Sequence, residues 1–480
     1  MNHEKSIIKN YLFNLLKTLT GLLFPVITFA YSSRILGVEG IGKVNFSKSY
    51  ITYFSMIALL GMNYYGTREA AKLRDNKKLL SKFVQEMLII NAIATFVSYI
   101  ILIISILLIP KLKNYETLLA VNSISIVLQG LGIEWLYQAL EEYKYIAVRS
   151  VIFQFIALVL MFICVKKSGD VVLYALIYVF ATYGSYILNF MNARKYIEWH
   201  WFESYELRKH IKPLFMLFAM AVSIQLYAVL DSTMLGFIQG DVAVGKYTAA
   251  VKINKMTTSL ISSLGVVLIP RLSYYIGNHQ IDRLKELIDK SYNFVFCLSV
   301  PISIGLFVLS DDILLLFSGK EFLTASVTMK LLSPIIILIP FNVVTNTQTF
   351  VPMGKEKLIL MSTFSGAVMN IICNLVLIPI YAENGAAIAT VLAEGVIAVI
   401  CYLNARCYFP MKKIFRVYYQ YWIAAAPIPF IVSVIKNIDT NYWIQLITSI
   451  GLSAIVYFIL LILFRNCYVL EISKKLRKAG

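Results

Sequence analysis

Seven lysines stand inside apolar runs long enough to cross a membrane: Lys17, Lys43, Lys48, Lys246, Lys252, Lys255 and Lys330. A cation at the bilayer centre costs about 2.5–3.5 kcal/mol on insertion scales, so each of them needs compensation. Few acids lie at the same depth along the chain, which points to a polar cavity that receives an anion. Lysine meets such an anion as a compact point charge. Lys17, Lys43, Lys48, Lys246, Lys252 and Lys255 are therefore the candidate substrate-binding residues. The alternative for each is snorkelling to an interface or pairing with a nearby acid. That alternative weighs most on Lys43 and Lys246, near span ends, and least on Lys17, Lys48, Lys252 and Lys255, which sit deeper.

A second set suits a small cation. Asp231 falls within the seventh apolar span, where an acid is expensive. Asn370 and Asn374 are one helical turn apart on the eleventh span, and Thr390 and Glu394 one turn apart on the twelfth. Together these five are candidates for coordinating sodium or accepting a proton; the alternative is Asp231 paired with Lys252 or Lys255. Glu86 and Glu134, near span ends, read as loop anchors. The six cysteines lack metal-ligand spacing and read as packing residues, and His3, His200, His210 and His279 fall in the polar tail or loops with no HExxH arrangement. No catalytic residue, cofactor or metal site beyond the sodium candidate is read.

The elements that must carry these residues follow from composition. Of 480 residues 59% are hydrophobic and only 15% charged, with mean hydropathy +0.74. That is a polytopic all-α membrane protein. The net charge of +18 does not mark a nucleic-acid partner, because the basic residues are dispersed through short loops. A window of about 19 residues gives about 14 spans. With the N-terminus inside, the inner segments hold about 30 of the basic residues and the outer loops about 7, the asymmetry expected of a correct segmentation. One inner loop carries Arg68, Lys72, Arg74, Lys77, Lys78 and Lys82. An even span count returns the C-terminal tail to the inside, and no removable signal peptide is read at the N-terminus. The segment 311–353 is the hardest to divide, because Ser333-Pro334 and Pro340 interrupt it. Pro25 and Pro301 are candidate kinks, and residues 280–288 (QIDRLKELI) read as an amphipathic helix at the headgroups.

The chain repeats itself. Leu36-Gly37 followed by Gly42-Lys43 recurs as Leu235-Gly236 followed by Gly245-Lys246, and the spacing from Lys43 to Arg68 equals that from Lys246 to Arg271. Two six-helix lobes are expected, residues 1–212 and 213–408, facing each other across a central cationic cavity, with two further helices and a tail in 409–480.

The stretches Arg34-Ile35-Leu36-Gly37-Val38-Glu39-Gly40-Ile41-Gly42, Phe46-Ser47, Gly61-Met62-Asn63-Tyr64-Tyr65-Gly66 and Arg68-Glu69-Ala70-Ala71 resemble the N-terminal lobe of polysaccharide (O-antigen or capsule) flippases of the multidrug/oligosaccharidyl-lipid/polysaccharide exporter superfamily. Trp135-Leu136-Tyr137-Gln138-Ala139-Leu140-Glu141, ahead of Tyr145-Ile146 and Arg149, resembles the same family between spans four and five. The resemblance implies the fold shared with multidrug exporters and lipid II flippases. It implies an undecaprenyl-diphosphate-linked oligosaccharide as substrate, a bacterial plasma membrane, and partners in a polysaccharide polymerase and its chain-length machinery. The cation set looks like the sodium site of related lipid II flippases, except that a carboxylate expected on span eleven is an Asn here.

A diphosphate between lipid and sugar is an anion that lysines can meet. The alternatives are a lipid II or teichoic-acid precursor flippase, which binds the same diphosphate, and a multidrug antiporter, whose cationic cargo would want an acidic cavity. Outside transport, a polysaccharide polymerase or ligase would need a larger outer loop than any read here. Gln225, Asn342, Asn346 and Gln348 are the polar residues available for sugars, with no readable code.

Overall fold

The computed structural model describes residues 7–199, 202, 204–278, 280–408, 411–438, 441–466 and 468–470; His3, His200, His279 and the basic C-terminal tail lie outside this set. Packing divides the chain into two compact units, Met1–Gly245 and Lys246–Gly480. The first holds α1 (Ile7–Leu59), α2 (Met62–Leu73), α3 (Lys77–Leu108), α4 (Pro110–Lys113), α5 (Glu116–Leu131), α6 (Glu134–Ala139), α7 (Tyr143–Cys164), α8 (Val171–Val179), α9 (Tyr186–Asn192) and α10 (Leu207–Ile238). From α11 (Asp241–Gly277) the chain passes into the second, with α12 (Ile281–Val308), α13 (Ser310–Phe317), α14 (Ser326–Leu332), α15 (Ile335–Val343), α16 (Glu356–Ala405), α17 (Met411–Ala425), α18 (Ile428–Lys436) and α19 (Tyr442–Leu463). No strand occurs among the described residues.

Length forces the longest helices to break. At about 1.5 Å per residue, a helix needs roughly 20 residues to cross a hydrocarbon core about 30 Å thick. The 53 residues of α1 exceed that more than twice over, and the helix departs from helical geometry at Gly37 (φ 68°, ψ −177°). Glycine has no Cβ to oppose that left-handed φ. The 50 residues of α16 break at Ala382 (φ 49°, ψ −128°). Helical backbone runs on through Pro25 and Pro301.

Among the described residues, nine helices are long and apolar enough to cross a membrane, or ten if the pair Lys320–Leu332 and Ile335–Phe350, bent by 48°, is one span. The expected fourteen are not resolved on this criterion. Leu16–Leu73 and Glu356–Ala405 each count once, although at 58 and 50 residues both are too long for a single crossing. The stretch 280–288 also differs from expectation. It forms the first turns of α12, with Leu284 and Ile288 buried, because nothing breaks the helix between it and the span that follows.

In the first unit, α1 packs against α3, α5, α7 and α10. The two copies of the repeated glycine motif meet there: a Cβ on Gly42 would lie 1.9 Å from the Asp241 carbonyl oxygen, and one on Gly245 would lie 2.0 Å from that of Val38. The segment Gly61–Gly66 shows how one short run builds the site. Gly61 turns the chain at φ 74°, with the Phe218 backbone nitrogen 2.7 Å from where its Cβ would be. Met62 enters the core, Asn63 and Tyr64 face a cavity, Tyr65 hydrogen-bonds His210, and Gly66 sits under the Trp135 indole.

Replacing Gly61 with Ala puts a Cβ into left-handed backbone, at about 1–2 kcal/mol, and into a close backbone contact. The Gly61→Ala protein is expected to lose its native fold at a lower temperature than the unmodified chain, read by thermal unfolding in detergent.

Candidate functional site

A cavity of about 530 Å³ opens within the first unit. Its polar wall comes from five elements: Lys48 on α1, Asn63 and Tyr64 on α2, Gln129 on α5, Tyr178 on α8 with Tyr183 in the turn that follows, and Gln225 on α10. No Asp or Glu among the described residues lines it. Lys48 Nζ donates to the Tyr178 hydroxyl at 2.5 Å and lies 3.9 Å from the centre of its ring. A phenol stabilises the ammonium without cancelling its charge. The described walls of the cavity therefore carry one positive charge, that of Lys48, and are otherwise neutral.

Other candidate lysines are neutralised. Lys17 pairs with Glu134, which also accepts from Arg149 Nη2 at 3.2 Å. Lys43 pairs with Glu39 one turn earlier at 2.6 Å, Lys246 with Glu383 at 3.0 Å, and Lys330 with Asp311 at 3.4 Å. The scarcity of matching acids read from the sequence is thus corrected. Glu134 and Glu383 lie more than a hundred residues from their lysines, a separation that no local reading bridges. Lys252 is half-buried, and Lys255 is exposed with no ion-pair partner among the described residues.

The cation candidates divide between the units. Asp231 is buried on α10 in the first. In the second, Asn374 Nδ2 donates to Asn370 Oδ1 at 3.0 Å, the Thr390 and Tyr247 hydroxyls are 3.0 Å apart, and Asn342 Nδ2 donates to Glu394 Oε2 at 2.7 Å. Asn342 Oδ1 is buried without a hydrogen-bond partner among the described residues. Among them are a carboxylate, amide oxygens and hydroxyls, the donor types of a hard cation site.

Sequence reasoning missed a buried chain at the start of α10. The Tyr65 hydroxyl and His210 Nδ1 are 2.7 Å apart, and His210 Nε2 and Glu86 Oε2 are 2.8 Å apart. Glu86 also accepts the backbone N–H of Glu206 at 2.8 Å, which ties α3 to the N-terminus of α10. The residues it bonds are 120 to 145 apart in sequence, so only the fold reveals it. Tyr178 and Tyr183 were missed for another reason: at five residues apart, they do not share a face in an α-helix.

A family model described as "Polysaccharide biosynthesis protein" matches residues 7–276, and one described as "MatE" matches residues 216–376. Proteins named "Putative O-antigen transporter" are similar over nearly their whole length. The one from Shigella dysenteriae is 25% identical over 393 residues, 81% of this chain and 97% of that protein. The one from Escherichia coli (strain K12) is 23% identical over 399 residues, 82% and 95% respectively. A solved structure of the lipid II flippase MurJ in an inward closed conformation matches 96% of this chain and 99% of its own, with TM-score 0.72 and 16% identity. An inward-facing multidrug resistance MATE family transporter matches 82% and 95%, with TM-score 0.61 and 15% identity. At these identities the likeness establishes a shared all-helical fold.

Lys17 and Arg149 share the single carboxylate of Glu134, so its loss leaves both cations without an anionic partner. Breaking a buried pair of this kind costs about 3–5 kcal/mol. Glu134→Gln is expected to destabilise the protein markedly, and Lys17→Met in the same chain to recover part of the loss, read as thermal unfolding of the single and double variants.

Proposed function

This chain belongs to the polysaccharide biosynthesis protein family, and from that premise we propose that it is a flippase moving lipid-linked saccharide repeat units from the inner to the outer leaflet of a bacterial plasma membrane. The observation that carries the reading is Lys48, a lysine within a membrane-spanning helix that faces a cavity free of carboxylates. An unneutralised cation there is costly unless an anion visits it. The diphosphate of an undecaprenyl-linked oligosaccharide supplies that charge, and N–H donors to phosphate form strong, short hydrogen bonds. The amides of Asn63, Gln129 and Gln225 beside it offer donors and acceptors for hydroxyls. The O-antigen transporters to which the chain is similar have names consistent with such a substrate.

Transport by alternating access follows the fold likeness to transporters, with both termini and the loop bearing Arg68 to Lys82 on the cytoplasmic face. A polymerase and its chain-length machinery would receive the saccharide on the other side. Outward movement of an anion gains about 2.3 kcal/mol per charge for each 100 mV of inside-negative potential. Cation coupling adds to this drive. The unpartnered Asn342 Oδ1 beside the Glu394 carboxylate supports that part of the proposal, with sodium and proton as alternatives.

Translocation of a labelled undecaprenyl-diphosphate oligosaccharide in proteoliposomes tests the reading. Lys48→Ala is expected to slow it at least about tenfold, the equivalent of about 1.4 kcal/mol, with Lys48→Arg retaining part of the rate. Unchanged transport in Lys48→Ala would reduce this lysine to a structural charge. Substituting lipid II as cargo separates a peptidoglycan precursor flippase from one of polysaccharide units. Glu394→Gln is expected to abolish any stimulation by an imposed sodium or proton gradient while leaving potential-driven transport in place.

A further inference from the structure

Tyr178 and Tyr183 line the same cavity wall although five residues separate them. In an α-helix five residues advance about 500°, which leaves two side chains about 140° apart. The chain between them solves this by changing its winding: Phe180–Gly184 is a π-helical turn between α8 and α9. Hydrogen bonds spanning five residues bring positions i and i+5 onto one face, and such turns are frequent at functional sites. Thr182 Oγ1 supports the turn by donating to the Tyr178 carbonyl at 2.9 Å. The two rings have different employment. Tyr178 is held by Lys48, whereas Tyr183 has no side-chain hydrogen bond among the described residues and packs edge-on against the Tyr186 ring, with centroids 5.9 Å apart. A half-buried aromatic face therefore remains on the cavity wall, in company with the amides of Asn63 and Gln225, whose side chains have no hydrogen-bond partner among the described residues.

We infer that Tyr183 is the platform of a saccharide subsite: a pyranose ring lies with its C–H face on the phenol while Asn63 and Gln225 take its hydroxyls, and Lys48 holds the adjoining phosphate. The inference rests on the proposed function and adds the group that distinguishes a sugar-bearing lipid from a bare one. Its physical basis is the negative face of an aromatic ring, which attracts polarised C–H edges. Free amides complete the match, because a sugar hydroxyl both donates and accepts. The π turn is the device that makes the subsite, since straight α-helical winding would carry Tyr183 off the wall that Tyr178 occupies.

The test is equilibrium binding to the full-length protein in detergent. The probes are undecaprenyl diphosphate and a panel of undecaprenyl-diphosphate monosaccharides bearing glucose, galactose or N-acetylglucosamine. The unmodified protein is expected to bind at least one glycosylated lipid more tightly than the bare one. Tyr183→Leu, which keeps apolar bulk and removes the ring, is expected to lose about tenfold for that glycolipid and to leave bare lipid unchanged; Tyr183→Phe is expected to stay within about twofold for both. Lys48→Ala weakens both classes. Glycolipid affinity unmoved by Tyr183→Leu, or an equal loss for bare lipid, would overturn the subsite, as would a panel that never exceeds the bare lipid. Those three results leave the flippase reading standing as long as bare diphosphate binds through Lys48. Failure of every lipid to bind the unmodified protein overturns both.

Discussion

The constraint behind the whole first unit is the cost of a positive charge in hydrocarbon. Lys17 and Arg149 share Glu134, Lys43 leans back on Glu39, and each of these pairs brings two elements or two turns into register. Lys48 is handled differently. It has a phenol where Lys17 and Lys43 have a carboxylate, so α1 presents to the cavity a charge that no carboxylate among the described residues meets. Much of the surrounding architecture keeps that charge usable. Gly61 turns α2 so that Asn63 and Tyr64 face the same space, and α10 closes it with Gln225. The chain Tyr65–His210–Glu86 holds the start of α10 to α2 and α3.

Helical geometry explained most of what was legible beforehand. Apolar runs of bilayer length, the dispersal of basic residues and the glycine repeat foretold an all-helical membrane fold, and Lys48 and Gln225 were named before their shared cavity was visible. What stayed hidden depended on partners far along the chain. Glu134 reads as a loop anchor until α6 is seen beside α1, and Glu383 is 137 residues from Lys246. His210 looks like a loop histidine until α10 is found to begin there. The separation of single spans also ran past what composition can tell, because α1 and α16 continue as helix up to breaks set by one residue each, Gly37 and Ala382.

Departures from regular winding concentrate where polar chemistry does. Phe180–Gly184 is π-helical beside the cavity of the first unit. Val344–Phe350 is π-helical in the second and carries the buried Thr345, Asn346, Gln348 and Thr349. Each such turn gives up good α-helical hydrogen bonding to re-aim side chains, and inside a membrane irregular backbone is tolerated only where protein or a wet cavity receives it. Sequence periodicity cannot reveal such a turn, since it is defined by a departure from the period itself. Tyr178 and Tyr183 show the consequence: their spacing argues against a shared face until the turn is seen.

The most direct test of the account is an experimental structure of the protein with an undecaprenyl-diphosphate saccharide bound. A phosphate oxygen within about 2.7–2.9 Å of Lys48 Nζ, taking the place of the Tyr178 hydroxyl, is the result the account predicts. A diphosphate held instead by Lys17 or Lys43 after their carboxylates have moved away, with the Lys48–Tyr178 contact intact, would contradict it.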